Sequence, residues 1–152
     1  MNLVTINIGS KESENLACPQ CGNLRPVVFS KLPRRFYKAR CKCMHEFIIK
    51  LNRRKHIRKT INLIGTYSFK RSFANNIIDV IDLSKDGLGF IRTDTNILNV
   101  SDTILINFNL DNSVHDTIES SALIINICNN RVCVEFASMK DRIKTTLGFY
   151  FL

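Results

Sequence analysis

The residues with the most chemistry in this chain are its cysteines, six among 152 residues. Four of them form two close pairs, Cys18-Pro-Gln-Cys21-Gly22 and, further along, Cys41-Lys-Cys43. Two residues between thiolates let both sulfurs converge on one ion, and the glycine that follows permits a tight turn with amides facing sulfur. Four thiolates in a tetrahedral array satisfy Zn²⁺ and close its shell, the mark of a structural rather than a catalytic site. The second pair is tighter than the usual C-x-x-C, so His45 is a spare donor if Cys41 or Cys43 points away. Four buried free cysteines are the plain alternative. That reading leaves a short segment with little core and no other means of folding, so zinc is favoured. Cys128 and Cys133 sit on a separate hairpin as diagonal neighbours and read as small hydrophobes in a sheet.

Two further clusters concern anions. Asn52-Arg53-Arg54-Lys55-His56-Ile57-Arg58-Lys59 carries Arg54 and Arg58 four residues apart, hence on one side whether the segment is helical or extended. Two guanidiniums so placed can fork onto phosphate oxygens or guanine O6 and N7, or stack on a purine face. Alone the spacing is weak, since about 0.8 chance R-x-x-x-R matches are expected in a chain of this composition. The second cluster is Asp82-Leu83-Ser84-Lys85-Asp86-Gly87. Asp82 and Ser84 share a face at a strand end. A carboxylate accepts from the N1 and N2 edge of guanine, and a hydroxyl serves base or phosphate. Gly87 permits φ > 0 and close backbone approach to a ligand. This pattern is expected by chance only about 0.07 times in such a chain. A plain Asx or Ser turn between strands is the structural alternative.

These residues need a scaffold, and the hydrophobic pattern supplies one. Thr103 to Leu110 alternates with Ile104, Ile106, Phe108 and Leu110 on one face. Ala122 to Cys128, the turn Asn129-Asn130 and Arg131 to Phe136 form a hairpin. Ile77 to Asp82, Leu88 to Arg92 and Lys59 to Ser68, bent near Gly65, add three strands. Five or six short antiparallel strands in one stretch predict a small barrel or sandwich. Ser138-Met-Lys-Asp141 resembles a capping box, and Met139, Ile143, Leu147 and Tyr150 or Phe151 recur at helical spacing, which predicts a helix over 139–151. Between the cysteine pairs, Leu24 to Ser30 and Arg34 to Arg40 are strand-like, followed by Glu46 to Leu51. The expected division is a tail or short strand over 1–15, a cysteine module over 16–51, and a β-barrel over 52–152 with an arginine linker at 52–59.

Charge divides the chain in the same place. Residues 1–60 hold 14 Lys and Arg against 3 Asp and Glu, and residues 61–152 hold 8 against 10. The whole chain carries a formal +9. A basic part beside a near-neutral one suggests two modules, the first suited to anions. Composition is ordinary for a globular protein, at 45% hydrophobic and 23% charged residues. No apolar run is long enough for a transmembrane helix, so no membrane insertion is expected. Met1 to Gly9 has no Lys or Arg, unlike a secretory leader, and the cytoplasm is the expected compartment.

Two resemblances sharpen the reading. Residues 16–51 look like a short zinc ribbon of the CPxCG…CxC-x-x-x-F kind, carried by Cys18, Cys21, Gly22, Cys41, Cys43 and Phe47. The order of arginine pair, strand and Asp-Ser-Gly turn resembles the PilZ family, receptors for the bacterial second messenger cyclic di-GMP. Arg54 and Arg58 match R-x-x-x-R, and Asp82, Ser84 and Gly87 match D/N-x-S-x-x-G. The resemblance implies a mainly β fold, a six-stranded antiparallel barrel with a C-terminal helix, here preceded by a four-cysteine zinc-ribbon module. It implies that the arginines grip phosphates and guanine Hoogsteen edges, with Arg53 as auxiliary, while Asp82 and Ser84 hold a guanine from the barrel side. The segment before the barrel would wrap over the ligand as a switch. Because the ribbon lies directly upstream of that segment, ordering it is expected to move the ribbon, with an effector protein carrying the signal. Asp86 departs from the family, where many members have a small residue before the glycine.

Two rival functions remain. Arg34, Arg35, Phe36, Tyr37, Lys38 and Arg40 form a basic, aromatic-interleaved strand that could bind nucleic acid, or be the outer face of a hairpin whose aromatics make a miniature core. A PilZ-like scaffold without a ligand is the other. No enzyme is expected. G-x-S-x-G, P-loop and H-E-x-x-H motifs are missing, and His45, His56 and His115 are scattered.

Overall fold

The computed structural model describes residues 1–32, 34–72 and 74–152. Its chain divides into two compact units, Met1–His56 and Ile57–Leu152. In the first unit, β5 (Glu46–Asn52) is the central strand because Phe47, Ile49 and Leu51 alternate inward. It pairs antiparallel with β4 (Phe36–Arg40) on one side and parallel with β1 (Asn2–Asn7) on the other. A separate hairpin joins β2 (Ser13–Ala17) to β3 (Leu24–Val28). Ile6, Ile8, Leu16, Cys18 and Phe29 complete a small core with the β5 residues. The first 15 residues thus supply β1, the start of β2 and two core isoleucines.

On β4 the aromatics part company. Tyr37 and Ala39 pack on the core, whereas Phe36 is 52% exposed with the Arg35 guanidinium 5.6 Å from its ring. The expectation that these aromatics jointly form the miniature core therefore holds for Tyr37 and fails for Phe36. Strand alternation is the reason, since adjacent residues must face opposite sides.

The second unit is a closed barrel in the order β10-β11-β8-β7-β6-β9. Its strands are β6 (Lys59–Phe69), β7 (Asn76–Leu83), β8 (Gly87–Arg92), β9 (Thr103–Asn109), β10 (Thr117–Cys128) and β11 (Arg131–Ser138). Every pairing is antiparallel, as the sequence predicts. Closure removes the free edges that a flat sheet would expose. The core is filled from alternating positions, including Tyr67, Val80, Phe90, Ile104, Ile106, Phe108 and Ile124. Fully buried Tyr67 donates its hydroxyl to Asp94 Oδ1 at 2.7 Å, and Asn96 Nδ2 donates to the same hydroxyl at 3.1 Å. This satisfies the one polar atom of a large core side chain and ties down the loop after β8.

Helix α1 (Asp141–Tyr150) is shorter than expected. Lys140 is its N-cap, and no side chain caps it. The proposed capping box does not form, because Ser138 remains the last residue of β11 and its carbonyl accepts from Ser120 Oγ at 3.3 Å. Leu147 is buried against the barrel, with Met139, Ile143, Tyr150 and Phe151 packed around it. The Tyr150 hydroxyl donates to Asp111 Oδ1 at 2.6 Å, and Lys59 Nζ lies 4.1 Å from the ring centroid. Since one leucine anchors the helix, Leu147→Ala is expected to cost about 2–5 kcal/mol. Urea unfolding followed by circular dichroism reads this directly.

Candidate functional site

Two groups of sequence-predicted residues form clusters, one in each unit. In the first unit, the sulfurs of Cys18, Cys21, Cys41 and Cys43 all lie within 4.8 Å of one another. Cys18 Sγ is 3.8 Å from Cys43 Sγ, and Cys21 Sγ is 3.6 Å from Cys41 Sγ. A tetrahedral tetrathiolate with metal–sulfur bonds near 2.3 Å places its sulfurs about 3.8 Å apart. The donors therefore fit a four-coordinate thiolate metal centre of the kind a zinc-ribbon-like module carries. His45 is not in the cluster; its ring stacks on Phe47 at 6.1 Å.

Local backbone geometry explains the convergence. Gly22 takes φ +72° and donates its N–H to the Cys18 carbonyl at 2.9 Å, closing the first knuckle. Met44 takes φ 70° at the equivalent place, donating to the Cys41 carbonyl at 2.9 Å. Thus the irregular C-x-C pair still points both sulfurs inward. Desolvation pushes the Cys18 thiol up, but hydrogen bonds from the Cys21 and Gln20 backbone outweigh it and bring its pKa down to about 7. Although the backbone of Asn23 favours its thiolate, Cys21 is pushed up to about 12, chiefly by the Cys43 thiol and by desolvation.

In the barrel, Asp82 occupies the outer face of β7, opposite Thr60 on β6 and Gly89 on β8. Its carboxylate, 13% exposed, has Arg58 Nη1 at 3.9 Å from Oδ1 and accepts a hydrogen bond from Arg131 Nη2 at 2.7 Å on Oδ2. Oδ1 is buried and has no hydrogen-bond partner among the described residues. Asp82 and Arg58 are thus brought together by the β6–β7 pairing. Arg54 lies in the first unit, in the segment between β5 and β6, where its backbone N–H donates to Asn52 Oδ1 at 3.3 Å. Arg53 donates from Nη2 to the Leu32 carbonyl.

Ser84 is buried and its hydroxyl works within the turn. It accepts from the N–H of Gly87 at 3.1 Å and of Asp86 at 3.3 Å, and donates to the Gly87 carbonyl at 3.2 Å. Gly87 does not adopt the left-handed φ expected from sequence; only Gly9 and Gly22 do so among the described glycines. Its role is steric, because a Cβ there would meet the Val134 carbonyl oxygen at 2.0 Å. Asp86 is exposed, and its carbonyl accepts from the Phe136 N–H at 2.7 Å.

Two neighbours of Asp82 were not found by sequence reasoning. Gly89 leaves room for the carboxylate, since a Cβ on it would lie 2.6 Å from Asp82 Oδ2. A second glycine two positions after Gly87 inside a strand was the available signal. Arg131 had none, because the β8–β11 pairing that brings it near is a long-range choice. A groove of about 1220 Å³ lies elsewhere, between β3 and β4, and none of the barrel residues above lines it.

No family model and no curated protein matches the chain. Solved structures do match in fold. The Bacillus subtilis inhibitor of motility MotI/DgrA aligns with a TM-score of 0.59 at 15% identity, over 68% of this chain. The chain spans about half that protein's length, 51%. The PilZ domain of YcgR from Escherichia coli, solved with c-di-GMP, aligns with a TM-score of 0.53 at 16% identity, covering 64% of this chain and 87% of that one. The PilZ domain of CeSA from a cellulose-synthesizing bacterium gives 0.51 at 15%, over 62% and 93%. At such identity the likeness is one of fold. The closed six-stranded barrel with its C-terminal helix is a PilZ-type barrel, and a four-cysteine cluster precedes it in the chain.

The steric reading of Gly87 has a direct test. Gly87→Ala is expected to destabilise the barrel by at least about 1–3 kcal/mol, because the clash is with backbone that cannot swing away. Denaturant midpoints of the two proteins measure the difference.

Proposed function

We propose that this chain is a cyclic di-GMP receptor whose barrel binds the nucleotide and whose cysteine module is ordered by Zn²⁺. The observation that carries the reading is the Arg58–Asp82 pair on the outer face of a PilZ-type barrel, with Arg58 four residues after Arg54. The ligand presents phosphates and guanines, and the motif offers matching groups. Arg54 and Arg58 supply forked donors for phosphate oxygens and for guanine O6 and N7. Asp82 accepts from the guanine N1 and N2 edge. Ser84 stiffens the turn that ends β7, and Gly87 keeps β8 close beside β11. Arg53 serves as an auxiliary cation once it exchanges the Leu32 carbonyl for the ligand. The YcgR PilZ domain, solved with c-di-GMP, supports this ligand class.

In this reading, residues 16–51 are the zinc-ordered module, held by Cys18, Cys21, Cys41 and Cys43, and residues 52–152 are the receptor barrel. Residues 52–59 are the linker, and α1 falls within the expected helix span. Ligand binding orders that linker and resets the module, an order–disorder switch read by an effector protein. The chemistry is recognition, not catalysis. No helix among the described residues is long and apolar enough to cross a membrane, and a cytoplasmic site of action fits a nucleotide second messenger.

A nucleic-acid reading draws on the exposed Phe36 beside Arg35, Lys38 and Arg40. Against it, Lys38 is already paired with Glu46 at 2.8 Å, and the Asp82 cluster is left without a role. Calorimetric titration of the zinc-loaded chain separates the two. Saturable micromolar or tighter binding of cyclic di-GMP, weakened about 10–100-fold in Arg54→Ala, is expected. Salt-steep binding of generic DNA with no nucleotide heat would overturn the receptor reading.

The metal makes its own prediction. The chain is expected to hold one equivalent of Zn²⁺, and Cys21→Ser to lower its affinity. Chelation is expected to unfold the first unit while the barrel keeps its own melting transition. Amide hydrogen exchange of β5 against β9, with and without chelator, checks this.

A further inference from the structure

Asp82 is approached by two guanidiniums, and only one belongs to the motif. Arg131 opens β11, two strands away from β7. It reaches Asp82 because the strand between them carries Gly89, where any side chain would collide with Asp82 Oδ2. Across this face, Asp82 pairs with Gly89, Gly89 with Cys133, and Ile91 with Arg131. The carboxylate therefore lies over a gap in the sheet surface and meets Arg131 Nη2 at 2.7 Å on its far side.

This contact makes the two carboxylate oxygens unequal. Oδ2 is held by Arg131. Oδ1 is buried, has no hydrogen-bond partner among the described residues, and has Arg58 Nη1 at 3.9 Å, beyond hydrogen-bond reach. A carboxylate offers about four acceptor positions, so an arginine on one oxygen does not exhaust it. An unpartnered buried acceptor gains most from a donor that arrives. Arg58 is one-third exposed, and movement of its guanidinium toward a phosphate would open Oδ1. Because the Arg131 side chain is 47% exposed, its pair with Asp82 contributes little to stability. The effect of the pair is geometric: it holds Oδ2 and so sets the orientation of the carboxylate.

We propose that Arg131 is a positioning residue for the nucleotide site, holding Asp82 Oδ2 across Gly89 so that Oδ1 is the acceptor presented to the guanine. The inference rests on the proposed cyclic di-GMP function and adds a residue that lies outside both motifs.

The test is calorimetric titration of the zinc-loaded full chain with cyclic di-GMP. The proteins compared are unsubstituted, Arg131→Ala, Arg131→Lys, Asp82→Asn and the Asp82→Asn/Arg131→Ala double variant. Loss of Arg131 is expected to weaken binding about tenfold, and lysine to recover part of the loss, since it restores charge but not the planar fork. In the Asp82→Asn background the same loss is expected to shrink below about threefold, because Arg131 acts through that carboxylate. Gly89→Ala, which displaces the carboxylate without removing any charge, is expected to mimic Arg131→Ala and carries the test if that variant folds poorly. Affinity unchanged within about twofold in Arg131→Ala, or an equal loss in the Asp82→Asn background, would overturn the inference and leave the receptor reading standing. No binding by the unsubstituted protein would overturn both.

Discussion

The candidate site depends on what β8 does not carry. Gly87 and Gly89 are alternate residues of one strand and so face the same side. At Gly87 the missing side chain lets β8 lie against the Val134 carbonyl and helps close the barrel. At Gly89 it opens the path by which Asp82 crosses to Arg131. Barrel closure and carboxylate placement are thus two consequences of one bare stripe. The turn before it is held by the Ser84 hydroxyl, so the end of β7 and the start of β8 are fixed together. Asp82 sits just before this turn, and among the described residues its Oδ1 has no hydrogen-bond partner. In the proposed function, the ligand supplies the missing partner.

The first unit solves a different problem. Its core is small, drawn from eight buried residues that include Cys18 itself. Neither of its sheets is large, and its two hairpins meet at the cysteine cluster. A segment of this size gains little from burial alone, and a bound cation would both neutralise and cross-link it. The barrel has no such need. Its core is larger and contiguous, and its largest buried polar side chain is satisfied internally.

Much of this is legible in the residues, for identifiable reasons. The barrel strands are readable because Ile104, Ile106 and Phe108, or Val132 and Val134, alternate cleanly, and a half-buried strand imposes that period. The cysteine cluster is readable because metal geometry constrains local spacing. The role of Gly87 is not: local sequence suggests a turn φ, whereas the constraint comes from β11, which is remote in sequence. The helix start fails for the same reason, because Ser138 is claimed by the sheet and does not act as a cap. Phe36 is misplaced when a basic-aromatic run is treated as one group, since alternation splits it between two faces. Arg131 is invisible in the sequence, since no motif includes it and only the strand order of the closed barrel brings it to Asp82.

In the proposed function a nucleotide binds on the outer face spanned by β6, β7 and β8. Amide chemical-shift mapping of the ¹⁵N-labelled, zinc-loaded chain during addition of cyclic di-GMP tests it most directly. Saturable shifts are expected at Arg58, Asp82, Gly87 and Gly89, with β9 and the exposed face of α1 little changed. An unchanged spectrum, or shifts confined to Phe36–Arg40 on β4, would contradict it.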